Sequence, residues 1–372
     1  MGFLSFLFIS FIFTNVPVIA QQTYNNISVI DPTGSNGFYM DVYATNNYLY
    51  AAQSGVSDAA LVIFSLNDPT SPTVVGKGSR FSSEEVRCVA INSDETIAII
   101  GIGSYISIYN ISDKAHPNMT SSLYLSGTVY DIIIIGNFVY CATGGRGVVI
   151  VNITNIYVPI IYYSGVSSYY SFDLEYDSAQ NCLYVANGSY GIFVYAIASD
   201  KKLTFLSSID LDYTARSVAK ISNSRIAAGD SYGYVYIIDS SNLNSLSKLG
   251  ITDVGSEIYG IKYSSSAGNY LFVAEYSKGL HIVSFQIETS PNVFRTMGTT
   301  TGGATGYAVE IYKDTYVYLA GGSYGILIYR LIDCIATIPI IPAFSLLSTI
   351  ITLILMVIPF NLILKHKNLL KT

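Results

Sequence analysis

Seven times between Leu61 and Leu331 the chain writes the same short apolar run: "LVIFSL" from Leu61, "ISIYNI" from Ile106, "VVIVNI" from Val148, "IFVYAI" from Ile192, "VYIIDS" from Val235, "LHIVSF" from Leu280 and "ILIYRL" from Ile326. The steps between starts are 45, 42, 44, 43, 45 and 46 residues. A step this regular commits the chain to a repeat architecture. The near-identity of "GSYGIFVYAI", Gly188 to Ile197, with "GSYGILIYRL", Gly322 to Leu331, is that of the fourth and seventh copies of one module.

Each unit has one internal grammar. A first strand such as "YDIIII" (Tyr130 to Ile135) turns into a second such as "NFVYCA" (Asn137 to Ala142), and a glycine-bearing turn leads to the apolar third strand. A polar connector such as "NDPTSP" and a fourth strand such as "PTVVGKG" complete the unit. Four short strands with tight turns make one small twisted sheet. Tyr and the β-branched residues suit it, and no helical period competes between Tyr24 and Leu331. The glycine turns pass into strands rather than helices, which makes them hairpin turns and not dinucleotide loops.

Such a sheet leaves its apolar faces uncovered, and radial stacking around an axis covers them. The fold expected is all-β, a seven-bladed β-propeller. Its ends support closure: unit seven stops after its third strand at Leu331, while an orphan strand "YNNISVI", Tyr24 to Ile30, precedes unit one. That N-terminal strand is expected to complete the last blade and remove an open edge.

The units resemble the LVIVD repeat, whose pattern runs roughly "YVYVADGSGGLVIVDISDPTNPTLVG". The residues that carry the likeness are "NYLYAAQSGVSDAALVIFSLNDPTSPTVVG", Asn47 to Gly76, and "NFVYCATGGRGVVIVNITNIYVPII", Asn137 to Ile161. It spans most of the repeat region, strongest in units one and three and weakest in unit five. The resemblance implies a β-propeller at a bacterial or eukaryotic cell surface and brings no shared catalytic motif.

The two ends set the expected location. Residues 1–20, "MGFLSFLFISFIFTNVPVIA", read as a secretory signal cleaved after Ala20, with Val18 and Ala20 at the small-residue positions. From Ala343 to Leu364 run 22 residues without a charged side chain, followed by Lys365, His366, Lys367 and Lys371. This length fits a transmembrane helix, and the basic flank favours a cytoplasmic tail. The expected organisation is signal 1–20, propeller ectodomain 21–334, linker 335–342, transmembrane helix 343–364 and tail 365–372. That is a single-pass type I protein of the cell surface or endomembrane system, bound to the membrane through its C-terminal helix.

Between the ends, 16 basic residues face 25 acidic ones, a net charge of −9 that argues against a nucleic-acid partner. Cys88, Cys141 and Cys182 cannot all pair among themselves, and no CxxC or His cluster suggests zinc. Sequons at Asn26, Asn110, Asn118, Asn152 and Asn187 are candidate glycosylation sites. No cofactor is implied.

One position along the first strands reads Asp41, Cys88, Asp131, Asp173, Ser217, Gly260 and Ala308. Lining a channel, Asp41, Asp131 and Asp173 could hold a hard cation. They could equally hydrogen-bond neighbouring strands and water. One residue earlier the ring reads Met40, Arg87, Tyr130, Phe172, Arg216, Tyr259 and Tyr307, which strand alternation would turn to the opposite side. Arg87, Tyr130, Arg216, Tyr259 and Tyr307 are the candidate ligand-binding residues; packing between blades is the alternative. No nucleophile and base stand in a catalytic spacing, and no enzyme activity is expected. Function is expected to be recognition or adhesion toward an extracellular protein or glycan ligand. The alternatives are a metal-dependent enzyme in the channel and a structural surface coat.

Overall fold

The computed structural model describes residues 24–25, 28–30, 38–55, 60–79, 85–164, 169–298 and 305–331. The expected signal, linker, membrane helix and tail lie outside these residues, as does Asn26. Among the described residues no helix is long and apolar enough to cross a membrane.

Two short strands, β1 (Tyr24–Asn25) and β2 (Ser28–Ile30), precede the first full blade. Blade 1 is β3 (Phe38–Ala44), β4 (Tyr48–Ser54), β5 (Ala60–Ser65) and β6 (Thr73–Lys77). Blade 2 is β7 (Val86–Ile91), β8 (Ile97–Ile102), β9 (Tyr105–Asn110) and β10 (Asn118–Tyr124). Blade 3 is β11 (Asp131–Ile135), β12 (Phe138–Ala142), β13 (Val148–Asn152) and β14 (Ile160–Tyr163). Blade 4 is β15 (Asp173–Asp177), β16 (Cys182–Ala186), β17 (Ile192–Ile197) and β18 (Leu203–Ile209). Blade 5 is β19 (Ala215–Ser222), β20 (Arg225–Asp230), β21 (Tyr234–Asp239) and β22 (Ser247–Asp253). Blade 6 is β23 (Ile258–Tyr263), β24 (Tyr270–Glu275), β25 (Gly279–Ser284) and β26 (Asn292–Gly298). Blade 7 supplies β27 (Ala308–Tyr312), β28 (Tyr316–Ala320) and β29 (Ile326–Arg330). All seven apolar runs are third strands, and first strands of successive blades touch around the ring, β27 meeting β3.

Closure is made by β2, which pairs antiparallel with β29 in the register Ser28↔Ile328, Val29↔Leu327, Ile30↔Ile326. Only half of the orphan strand does this. Tyr24 and Asn25 instead pair in parallel with Met297 and Gly298 on the outer edge of blade 6, so the N-terminal segment covers two rim edges. The closing contact needs Gly325: its φ is 81°, and a Cβ there would collide with the Ile30 carbonyl.

The core lies between blades. The residue after each channel position is Val42, Val89, Ile132, Leu174, Val218, Ile261 or Val309, none more than 5% exposed. Buried tyrosines add directed ties. The Tyr318 hydroxyl donates to the Pro69 carbonyl at 3.0 Å, from blade 7 to blade 1, and the Tyr140 hydroxyl to the Lys201 carbonyl at 2.8 Å, from blade 3 to blade 4. The ring is apolar filler and the phenol a staple to the neighbour.

Candidate functional site: the channel and its mouth

Every first strand opens with a bulge. The ladders skip one residue between Tyr39 and Asp41, Val86 and Cys88, Ala215 and Ser217, and Ile258 and Gly260. In blades 3, 4 and 7 the same device appears as two residues facing one: the Tyr130, Phe172 and Tyr307 N–H groups donate to the Ala142, Ala186 and Ala320 carbonyls, which already oppose Asp131, Asp173 and Ala308. The residue opposite each bulge is always Ala or Gly. At Gly101 and Gly229 a Cβ would crowd the Cys88 sulfur and the Ser217 hydroxyl.

A bulge cancels the alternation of a regular strand. The expectation that the two rings face opposite sides therefore fails. Met40, Arg87, Tyr130, Phe172, Arg216, Tyr259 and Tyr307 line the same central cavity as Asp41, Cys88, Asp131, Asp173, Gly260 and Ala308, a space of about 280 Å³. Ser217 is fully buried and is not part of the wall.

The five candidate ligand-binding residues come together at one mouth. The Arg87 guanidinium sits 5.2 Å from the Tyr130 ring centroid, and that of Arg216 sits 4.2 Å from the Phe172 centroid. Tyr130 meets Phe172 edge-on at 4.9 Å, and Tyr259 lies 5.3 Å from Tyr307. Two carboxylates complete the belt: Glu85 pairs with Arg87, and Glu257 pairs with Arg216 while accepting the Tyr259 hydroxyl at 3.1 Å. The belt is aromatic, with two arginines balanced by two glutamates.

The aspartates below it act as straps between blades. Asp41 accepts the Val42 N–H on Oδ1 and the Val89 N–H of the next blade on Oδ2, both at 2.8 Å. Asp131 accepts the Leu174 N–H of blade 4 at 3.0 Å, and Asp173 the Val218 N–H of blade 5 at 2.8 Å. Their oxygens are engaged by backbone donors, and among the described residues no group of three His, Cys, Asp or Glu side chains is placed to hold a metal ion. Burial pushes the Asp41 carboxyl up to about 8, and it raises those of Asp131 and Asp173, which also hydrogen-bond each other.

Two residues further along the first strands lies a third level that the sequence reading missed. Glu175, Lys262 and Glu310 line the cavity there. Lys262 stands 3.6 Å from Glu310, whose field raises the ammonium's pKa, while burial raises Glu310 and pushes Glu175 up to about 7. Carrying the two-residue step onward around the whole ring, from Asp173, Gly260 and Ala308, would have found them.

Around the mouth the turns between second and third strands meet the entry segments of the next blades, as the bridges Gly144↔Ser171, Gly188↔Ala215 and Tyr39↔Gly322 show. These loops present Tyr170, Tyr190, Tyr213, Tyr232, Tyr276 and Tyr324, each more than 40% exposed. Tyr213 stacks on Tyr232 at 4.4 Å with 12° between planes. The chain leaves blade 7 at the other end: the Leu331 N–H donates to the Thr315 carbonyl in the turn between first and second strands.

The remaining sequence candidates separate. Cys88, Cys141 and Cys182 are buried free thiols. His281 is buried 3.5 Å from Glu275, and His116 lies in a connector on Asp113 at 2.8 Å. Asn118 is exposed, and Asn110 and Asn152 are partly so, each accepting the N–H two residues on in an Asx turn. Asn187 stands apart from the other sequons. It is fully buried and accepts the Ser171 hydroxyl at 3.0 Å.

In fold the chain is similar to the WD40 β-propeller domain of Doa1 (TM-score 0.61, 14% identity, covering 82% of this chain and 95% of that one). It is also similar to the β-propeller domain of Cps50 (Swd1) from Myceliophteria thermophila (0.65, 12%, 82% and 98%) and to a chain of a mitotic checkpoint complex (0.66, 11%, 89% and 98%). At these identities the likeness is one of fold. No characterised protein was found to match in sequence. The LVIVD repeat model matches residues 36–78, 126–164 and 265–285, which fall in blades 1, 3 and 6. The chain is a seven-bladed propeller in which stretches of three blades match the LVIVD repeat model.

Proposed function

We propose that this chain is a non-catalytic recognition scaffold, displayed at the cell surface or in the endomembrane system by a C-terminal membrane helix. Its ligand, an extracellular protein or glycan, meets the tyrosine-lined mouth of the channel. The observation that carries this reading is the asymmetry of the two ends: six exposed tyrosines ring the mouth, and the chain departs from the opposite end at Leu331. Tyrosine brings large contact area at small entropic cost and concentrates, with arginine, where binding energy concentrates. The channel aspartates are already committed to backbone N–H groups, which favours a structural role for them over catalysis. The likeness to a propeller within a mitotic checkpoint complex supports a scaffold that works by contact.

The test is capture of partners by the full-length chain, compared with Tyr213→Ala/Tyr232→Ala and with Arg87→Ala/Arg216→Ala. Loss of a partner with the tyrosine pair, at unchanged melting temperature, is expected. Partners retained by both pairs of variants would move the site off the mouth.

A further inference from the structure

In blades 1 to 6 a connector joins the third strand to the fourth, and the C-terminal chain leaves blade 7 where the next connector would begin. The Leu331 N–H donates to the Thr315 carbonyl as the Ile153 N–H does to Asn137 in blade 3 and the Phe285 N–H to Asn269 in blade 6. Connectors and exit therefore share one end of the propeller, opposite the tyrosine mouth. Ala343, which opens the 22-residue uncharged run, follows Leu331 by twelve positions, a reach of at most about 40 Å for a fully extended chain.

Four of the connectors make one turn. In blades 1, 2, 3 and 5 the side chain of Asp68, Asp113, Asn155 or Asn242 accepts the N–H two residues on, and its carbonyl accepts the N–H three residues on. Those two positions read Thr70–Ser71, Ala115–His116, Tyr157–Val158 and Asn244–Ser245. Blade 6 repeats the carbonyl bond, from the Ser290 N–H to Ile287, with Ile287 where the others carry Asp or Asn. Isoleucine has no oxygen to cap the turn, and it stands 65% exposed. Tyr157 and Val158 are each 64% exposed. These are the three most exposed large apolar side chains among the described residues, and all lie at the end from which the chain departs.

Apolar side chains held out on turns, rather than gathered in a groove, suit a soft apolar phase, and tyrosine suits its boundary with water. The connectors carry mixed charge: Asp68, Asp113 and Asp200 stand among Lys114, Lys201 and Lys202, and Glu288 beside Ile287 is paired with Arg225. A face without one sign of charge fits a zwitterionic lipid surface better than an anionic one. Blades 3 and 6 stand three steps apart in a ring of seven, so the two contacts straddle the axis. We propose that Tyr157, Val158 and Ile287 seat in the headgroup layer of a zwitterionic bilayer and hold the mouth facing away from it. This rests on the C-terminal membrane helix of the proposed function.

The chain has no tryptophan, so each substitution to Trp supplies a single indole reporter. The test uses full-length Tyr157→Trp, Ile287→Trp and, at the mouth, Tyr232→Trp, each at the wild-type melting temperature, in phosphatidylcholine vesicles with and without bromine on the acyl chains. Bromine should quench most of the emission at positions 157 and 287 and leave that at 232 unchanged. Flotation of the vesicles reads anchoring separately. A chain that floats while 157 and 287 are quenched no more than 232 overturns the proposal and leaves the membrane helix standing. A chain that does not float overturns both.

Discussion

Asp41 in blade 1 accepts the Val89 N–H of blade 2 at 2.8 Å, across the wall of the channel. Its other oxygen accepts the Val42 N–H, so one carboxylate satisfies backbone donors of two blades. Asp41→Ala should leave both donors without a protein partner at a cost of about 1–3 kcal/mol. The measurement is urea unfolding of the purified chain, with and without a chelator. A chelator that lowered the wild-type midpoint would restore the cation reading of the aspartate ring.

The same carboxyls give the protein a pH dependence of defined sign. Asp41 shifts from 3.8 to about 8 and Glu175 from 4.5 to about 7, burial being the leading cause in each. A raised pKa means that the folded chain keeps its protons to higher pH than the unfolded chain. The stability they contribute is complete below about pH 4 and is lost as pH rises toward 8. Glu275 runs the other way. Against the opposing effect of burial, hydrogen bonds from His281, Ser277 and the Lys278 N–H draw it from 4.5 to about 2, so its contribution is present above 4.5 and lost as pH falls through 2. Urea midpoints should fall between pH 5 and pH 8, and Asp41→Asn should flatten that slope. A slope unchanged by the substitution would remove Asp41 as its source.

Closure rests on three backbone pairs between β2 and β29. Deleting residues 22–30 should expose the β29 edge and yield an unstable or aggregating propeller. Gly325→Ala should cost more than about 1 kcal/mol through its positive φ and the Ile30 carbonyl beside it. Thermal unfolding with size-exclusion chromatography reads both. A deletion product that stayed monodisperse with the wild-type melting temperature would show the ring to be held without the N-terminal strand.

Glycopeptide mapping of the chain from a eukaryotic host should find Asn118 occupied and Asn187 bare. Folded, fully glycosylated Asn187 would contradict its burial against Ser171.

Blade number, strand order and closure were legible because a propeller repeats one hydrophobic grammar, and "LVIFSL" and its six copies mark each third strand. The bulges were not legible. Met40, Arg87 and Arg216 are extra residues with no adjacent glycine or proline to announce them, and only Tyr259 has one, Gly260, so alternation misplaced their ring. The Arg216–Glu257 pair was hidden for another reason: its partners come from different blades, 41 positions apart. The split of Tyr24–Ile30 over two blades depends on geometry around the rim, which local pattern does not encode.

The most direct test of recognition at the mouth is hydroxyl-radical footprinting of the full-length chain, free and bound to a captured partner. Tyr190, Tyr213, Tyr232, Tyr276 and Tyr324 should be protected on binding, while Met119, exposed away from the mouth, stays reactive. Protection of Met119 with all five tyrosines still reactive would contradict the account.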